Sequence, residues 1–417
     1  MKISLTDTFL DIKAPPSKSV YHRELIINFI LGARGRYLEA SLSDNDDIKA
    51  TKSCLLALED AAEETVELDC NESGSTLRFM IPVALAMKPS NVKKLVFRTR
   101  GRLIDRPVKE LADCLAPFGV SITKDKEANE ITVTGNIDHG KYVIDGSVSS
   151  QYISGLLMAL SKFDEGSVIE VTGGITSVHY IELTVAALAK YGIEIKREGD
   201  TYTVPGKPKD IKVPDGSFEV EGDWSNGAFL ICLGSLIRNG AAKVSGLNMD
   251  SVQGDIAILK FLKLANISHV IEGDTVFVQD SLRNSIREKI EMDCSDIPDI
   301  VPYMAVTGAF RAKTTVLNGI RRLRIKESDR AAAVTQMLTK LGANVTLEED
   351  TITIEYIDED KIPDSINLTS SGDHRMAMAA CLCAAATGRD IELDDISCLN
   401  KSFPEFRKVV EEEMILR

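Results

Sequence analysis

A phrase that returns every seventy-odd residues constrains this chain more than any other feature, because an internal period of that length implies a stack of similar supersecondary units. In each copy an apolar helix ends near Gly or Asn, and two short strands follow, split by a charged turn. The copies occupy residues 111–135, 185–206, 257–280 and 334–356. Their helix-ending residues, Gly119, Gly192, Asn266 and Gly342, stand 73, 74 and 76 positions apart by subtraction. Gly and Asn tolerate the left-handed conformation that closes a helix, so the match has a backbone cause.

A second phrase interleaves with the first: a short strand, a turn rich in Ser, Gly and Asp, then an apolar helix. It begins at Ala14, Asp69, Asp145, Glu221, Asp293 and Thr369, the later five spaced 76, 76, 72 and 76 apart. Each copy is expected to supply strand, capped helix, strand, helix and hairpin, which makes the chain α/β with mixed sheets. The helices at 153–160, 227–237 and 376–386 are apolar nearly all round and should be buried, with the sheets packed outside them. Six repeats divide into two domains of three, with a crossing near Glu219 to Glu221. The strand at 2–13 and the helix at 403–416 are partial repeats, so both termini should complete one domain. The expected division is 16–219 for one domain, and 1–15 with 220–417 for a discontinuous second.

Net charge bears on the partners. Lys and Arg number 49 against 63 Asp and Glu, a balance of −14, which argues against nucleic acid and anionic membranes. An anionic ligand must then be held by a focused pocket. The eight cysteines (54, 70, 114, 232, 294, 381, 383 and 398) are scattered without a C-x-x-C, as expected of core residues in a reducing cytoplasm. The first residues lack a signal-peptide core and no run approaches a membrane span, so a cytoplasmic protein is expected. The five histidines have no metal-ligand spacing, and Walker A, G-x-G-x-x-G and G-x-S-x-G sequences are missing. No metal and no cofactor are expected.

Repeated helix starts present backbone N–H groups and partial positive ends, which favour phosphate and carboxylate oxygens. Ser, Thr and Asp at such places are also ordinary caps. What distinguishes these turns is their added side chains. Lys18 and Arg23 flank the first start; Gly74, between Ser73 and Ser75, allows close backbone approach at the second, with Arg78 one turn on. The third carries Ser149, Ser150 and Gln151, and the fifth carries Asp293, Asp296 and Asp299 around Pro298. Asp373, His374 and Arg375 open the sixth helix, where a buried Arg calls for an anionic partner and His374 can equally be a satisfied core residue. Arg106-Pro107 and Lys401-Ser402 add further basic groups. The stretch 318–330 gathers Arg321, Arg322, Arg324, Lys326 and Arg330 around Glu327 and Asp329. It reads either as a solvated turn leading into a helix at 330–341 or as an anion site with a proton carrier between its cations.

Taken in order, these motifs closely resemble the 5-enolpyruvylshikimate-3-phosphate synthase family. They are Pro16-Ser-Lys-Ser19 with Arg23, Ser73-Gly-Ser-Thr-Leu-Arg78, Asp105-Arg-Pro107, Ser149-Ser-Gln151, Ser177 with Tyr180, Ile297-Pro-Asp299, Arg324 to Arg330, Asp373 to Met378, and Lys401-Ser-Phe-Pro404. The resemblance spans the whole chain. It implies an enolpyruvyl transferase of the shikimate pathway, a monomer, that joins phosphoenolpyruvate to the 5-hydroxyl of shikimate 3-phosphate and releases phosphate. It implies an inside-out α/β barrel of two domains, each of three βαβαββ-type repeats with buried helices and outer mixed sheets, closing on the substrates like a clamp. Residue by residue, it assigns Lys18, Ser19, Arg23, Ser149, Ser150, Gln151, Ser177, Tyr180, Asp299, Arg322 and Lys326 to shikimate 3-phosphate. Lys18, Gly74, Arg106, Gln151, Arg330, Arg375 and Lys401 fall to phosphoenolpyruvate. Asp299, Glu327 and Lys18 are the implied proton carriers.

Two positions depart from the family pattern: Glu72 and Arg322 stand where many members have Asn. A UDP-N-acetylglucosamine enolpyruvyl transferase fits less well, since such enzymes carry a Cys and an Asn where this chain has Gly101 and Ser19. A non-catalytic anion-binding protein on the same repeats is the other alternative.

Overall fold

The computed structural model describes residues 2–3, 9–41, 43–279 and 285–406. The chain has a mixed α/β fold in two compact units, one of Lys18–Val220 and one of Met1–Ser17 with Glu221–Arg417. Each has its own apolar core.

One building plan recurs. A strand leads into a helix, and the next strand pairs parallel with the first, since a helical crossover returns the chain in the same direction. A second helix and a hairpin then add two antiparallel strands. In the unit Lys18–Val220 the plan gives Thr65–Asp69 parallel to Lys94–Arg98, with the hairpin Ser121–Asp125 and Glu130–Thr134. It gives a second sheet from Lys141–Asp145, Ser167–Thr172, Thr201–Val204 and Lys196–Glu198. In the other unit Arg287–Asp293, Ala312–Asn318, Thr351–Glu355 and Val345–Leu347 follow the same order. Gly119, Gly192, Asn266 and Gly342 all take positive φ, between 55° and 92°, so the left-handed caps that defined the period are in place.

Three copies depart from the plan. The first copy contributes helices Lys18–Ile30 and Asp46–Glu59 and no strand of its own unit among the described residues. Its leading strand, Phe9–Lys13, pairs parallel with Ala241–Ser245 and completes the fourth copy's sheet. The fourth copy needs it, because residues 205–221 carry Pro205, Pro208 and Pro214, which cannot donate to a ladder, and form no strand. Phe9–Lys13 alternates exposed and buried positions, as a half-buried edge strand should. The sixth copy pairs Ile366–Leu368 with Ile391–Leu393 and takes Lys2–Ile3 as its antiparallel strand. Beyond Phe406, the helix expected at 403–416 lies outside the described residues, as do positions 4–8 of the strand expected at 2–13.

Gln253 fastens the start of this arrangement. Its Oε1 accepts from Ser17 Oγ at 2.9 Å and Trp224 N at 3.1 Å, and its Nε2 donates to Glu221 Oε1 and the Gly222 carbonyl.

The expected core helices are buried. Every residue of Trp224–Leu236 and His374–Thr387 is buried, and in Ser150–Leu160 only Gln151 is not. Strands such as Thr65–Asp69 bury one face and expose the other, so the sheets lie against these helices on one side only. All eight cysteines are free, and seven are buried. No helix among the described residues is long and apolar enough to cross a membrane.

Close helix packing sets a test. Helix Ser150–Leu160 approaches Gly74–Met87 at Gly155, where an added Cβ would lie 2.8 Å from the Arg78 carbonyl and 3.2 Å from Phe79 Cα. These are backbone atoms and cannot swing aside. Gly155→Ala should therefore cost about 1–3 kcal/mol by overpacking, although Ala is the better helix former. Urea unfolding measures this, and an unchanged midpoint would show that the helices can separate.

Candidate active site

In the unit Lys18–Val220 the relevant side chains sit at consecutive helix starts. Ser73 caps Gly74–Met87 by accepting from Thr76 N, and Asn45 caps Asp46–Glu59 by accepting from Ile48 N. The starts are tied together by a buried chain of short bonds: His22 Nδ1 to Thr51 Oγ1 at 2.7 Å, Thr51 to Thr76 at 2.8 Å, and Thr76 to Ser73 at 2.7 Å. Burial pushes His22 down to about 3, so it is neutral at physiological pH. Lys18, on the first helix, bridges to Asp47 at 2.8 Å. Neither Asp47 nor the His22 chain was evident in the sequence. Only the Asn45-Asp46-Asp47 run hinted at another helix start, and it carries no base to attract notice.

Arg23 is buried, and its bonds go to neutral acceptors: Ser19 O at 2.6 Å, Tyr180 O at 2.6 Å, Thr184 Oγ1 at 2.7 Å and Ser154 Oγ at 3.3 Å. Burial lowers its pKa to about 9. Gln151 is held from both ends of its amide, accepting from Arg78 Nη1 at 2.8 Å and donating to Ser75 Oγ at 2.9 Å. Ser149 caps the same helix and Ser150 is buried beside it. Ser177 begins helix Val178–Ala189 with φ of 50°, a left-handed conformation that costs a serine about 1–3 kcal/mol and calls for support from its surroundings. Arg106 crosses directly over Gly74: a Cβ there would meet Nη1 of Arg106, so the guanidinium would have to move to admit one. The Nε of Arg106 is buried with no acceptor among the described residues.

The other unit is organised by Arg330, whose side chain is 1% exposed. Its Nε donates to Asp373 Oδ2 at 2.8 Å, Nη1 to Asp299 Oδ1 at 2.7 Å, and Nη2 to Glu327 Oε2 at 2.7 Å and Asp373 Oδ1 at 3.2 Å. Lys326 Nζ donates to the same Asp299 oxygen at 3.1 Å, and Lys401 Nζ stands 3.8 Å from Glu327 Oε1. Asp373 also caps helix His374–Thr387 and accepts from Ser328 Oγ, so one carboxylate ties the basic stretch to the sixth helix start. Burial lowers Lys326 to about 8, against the pull of Asp299 and with the help of Arg322 and Arg330.

Arg375 was expected to need an anion. Its guanidinium instead bonds Tyr303 OH at 3.0 Å and Asn226 Oδ1 at 3.3 Å, both neutral, and its Nε has no acceptor among the described residues. Burial opposes its charge, but Tyr303, Asp299 and Asp223 outweigh that and hold it above its ordinary value. Of the three acids in the fifth turn, Asp299 joins the cluster, while Asp293 is occupied locally by Ser295 N and Oγ. Arg321 reaches outward to Glu349, and Arg324 to the Glu348 carbonyl. Asp255 is a buried acid that the sequence did not reveal. Its carboxylate accepts from Ser225 Oγ, and burial, with Asp299 nearby, pushes it up to about 7. No group of three metal-ligating side chains occurs among the described residues.

The family model for EPSP synthase (3-phosphoshikimate 1-carboxyvinyltransferase) matches residues 10–410. The chain belongs to this family. A 3-phosphoshikimate 1-carboxyvinyltransferase of Clostridium novyi is 33% identical, with 95% of this chain and 93% of that protein covered. One of Clostridioides difficile is 30% identical over the same shares. Among solved structures, EPSP synthase from Acinetobacter baumannii superposes with a TM-score of 0.73 over 99% of this chain and 98% of that one, at 20% identity. The enolpyruvyl transferase NikO from Streptomyces tendae gives 0.73 at 12% identity, covering 99% and 96%. At those identities the structures speak for the fold. The family sets the activity: enolpyruvyl transfer in the shikimate pathway.

Arg330→Met would strip three buried or half-buried carboxylates of their shared cation. A stability loss of about 3–5 kcal/mol is expected in urea unfolding at neutral pH. A loss below about 1 kcal/mol, the scale of a surface pair, would mean that the acids find other partners.

Proposed function

We propose that the chain condenses shikimate 3-phosphate with phosphoenolpyruvate through a tetrahedral intermediate, using the residues gathered at these helix starts. The observation that carries this reading is the bonding of Asp299 and Glu327 to one buried guanidinium. Two carboxylates fixed on a common cation can serve two proton movements on one substrate pair.

The 5-hydroxyl attacks C2 of phosphoenolpyruvate and gives up its proton, for which Asp299 is the proposed acceptor. The methylene carbon gains a proton and forms the methyl group of the intermediate, then loses one as the C–O bond to phosphate breaks; Glu327 is the proposed carrier on the carbon side. Lys18 is the proposed general acid. Shikimate 3-phosphate falls to Lys18, Ser19, Arg23, Ser149, Ser150, Gln151, Ser177, Tyr180, Asp299, Arg322 and Lys326. Phosphoenolpyruvate falls to Lys18, Gly74, Arg106, Gln151, Arg330, Arg375 and Lys401. Arg23, buried with neutral bonding partners, supports the assignment because an anion would complete its charge balance. The apolar buried helices and half-exposed sheets support reading the repeats as an inside-out α/β barrel. The same reading has the protein acting as a monomer in the cytoplasm.

Mixing the protein with phosphoenolpyruvate and each acceptor, and following phosphate release, tests the function. Turnover is expected with shikimate 3-phosphate; turnover only with UDP-N-acetylglucosamine would overturn it. Glu327→Gln and Lys18→Met should each lower kcat at least about a hundredfold with the fold intact by circular dichroism, the usual scale for acid–base groups. Unchanged turnover removes the residue from the mechanism.

Lys326 adds a pH signature. Its folded pKa of about 8 lies below the ordinary 10.5, so the unfolded chain holds the extra proton between those values. Stability from this group accordingly rises with pH through that window. Affinity for shikimate 3-phosphate runs the other way, falling up to about tenfold per unit above pH 8 as the ammonium discharges. Calorimetry across pH 7–10 reads both slopes, and Lys326→Arg should flatten the affinity slope. A flat profile in the unsubstituted protein would exclude Lys326 from the anion site.

A further inference from the structure

The loop 104–107, which carries Arg106, is anchored at every residue. Ile104 O accepts from Lys124 Nζ at 3.0 Å, Asp105 Oδ1 from Lys126 Nζ at 2.7 Å, and Arg106 O from the same Lys124 Nζ at 2.6 Å. Pro107 O accepts from Tyr152 OH at 2.6 Å and Arg78 Nη2 at 3.2 Å. Lys124 and Lys126 come from the strand Ser121–Asp125 and the turn after it, the hairpin of the second repeat.

These anchors differ in weight. Lys126 and Asp105 are both more than half exposed, so their pair contributes little. Arg78 and Tyr152 hold the far end of the loop. Lys124 alone grips the carbonyl of Arg106 itself, and it takes Ile104 with it. Two donors from one ammonium to carbonyls two residues apart fix the path of the intervening backbone, because neither carbonyl can turn without losing a charge-assisted bond. That path sets where the Arg106 side chain starts, and its Nη1 lies where a Cβ on Gly74 would be.

We propose that Lys124 is a positioning residue for phosphoenolpyruvate, holding the 104–107 backbone so that Arg106 lies across Gly74 in the geometry that receives the anion. The inference rests on the assignment of Arg106 to phosphoenolpyruvate. Lys124 does not touch substrate; it acts through the Arg106 backbone. It sits exposed on its strand, and its replacement leaves the core alone.

Steady-state kinetics on Lys124→Met, Lys124→Arg, Lys126→Met, Arg106→Ala and the Lys124→Met/Arg106→Ala double variant test this. Lys124→Met should raise the KM for phosphoenolpyruvate about tenfold, the scale of two lost charged hydrogen bonds diluted by loop adjustment, with kcat changed less than about twofold. Lys124→Arg should recover most of the loss, Lys126→Met should resemble the unsubstituted protein, and the double variant should be no worse than Arg106→Ala. A KM unchanged by Lys124→Met while Arg106→Ala raises it would overturn the positioning role and leave the site assignment standing. Losses that multiply in the double variant, or a fall in kcat that Lys124→Arg does not rescue, would reduce Lys124 to a structural residue. If Arg106→Ala itself leaves the KM unchanged, the assignment of Arg106 fails and the positioning role falls with it.

Discussion

The guanidinium of Arg330 joins Asp299, Glu327 and Asp373 at hydrogen-bond distance in a place where it is 1% exposed. Ion pairs of this kind are poor sources of stability, since desolvation offsets most of the attraction. A buried charge with three acids is better understood as a positioning device. Asp373 anchors the group to the start of helix His374–Thr387, and the remaining donors aim the other two carboxylates. Lys326 and Lys401 then share those carboxylates rather than standing alone.

Two kinds of buried arginine therefore coexist. Arg330 has its charge matched by acids, whereas Arg23 and Arg375 bond carbonyls, hydroxyls and an amide. Arg23, whose hydrogen bonds go to neutral groups and whose charge burial disfavours, is poised for an anion. Arg106 differs from both: its buried Nε has no acceptor among the described residues, and its guanidinium lies across Gly74. The contrast is between an arginine that also aims acids and arginines whose bonds go to neutral groups.

Much of this was legible in the sequence because it is written locally. The four helix caps follow from Gly or Asn at fixed spacing, and the buried helices follow from apolar runs without a polar face. What escaped was pairing between distant segments. That the first strand belongs with residues 220–417 was legible from its being a partial repeat, but its partner, Ala241–Ser245, was not; the place beside that strand is open because the prolines at 205–221 disqualify the nearer candidate. The basic stretch could be read as an anion site or a solvated turn, and it divides: Arg330 is buried with Lys326 and Asp299 half-buried beside it, while Arg321 faces outward. Asp47, Asp255 and Lys124 went unnoticed because an acid on a helix, an acid in a turn and a lysine on a strand are commonplace until their partners are known.

The central claim is that carboxylates aimed by Arg330 carry the proton transfers, with Glu327 serving the methylene carbon. Running the reaction in deuterium oxide and recording the vinyl protons of the product by NMR tests it most directly. Deuterium is expected in the product methylene with the unsubstituted protein, and its loss with Glu327→Gln while shikimate 3-phosphate still binds. Deuterium incorporation at an undiminished rate in Glu327→Gln would contradict it.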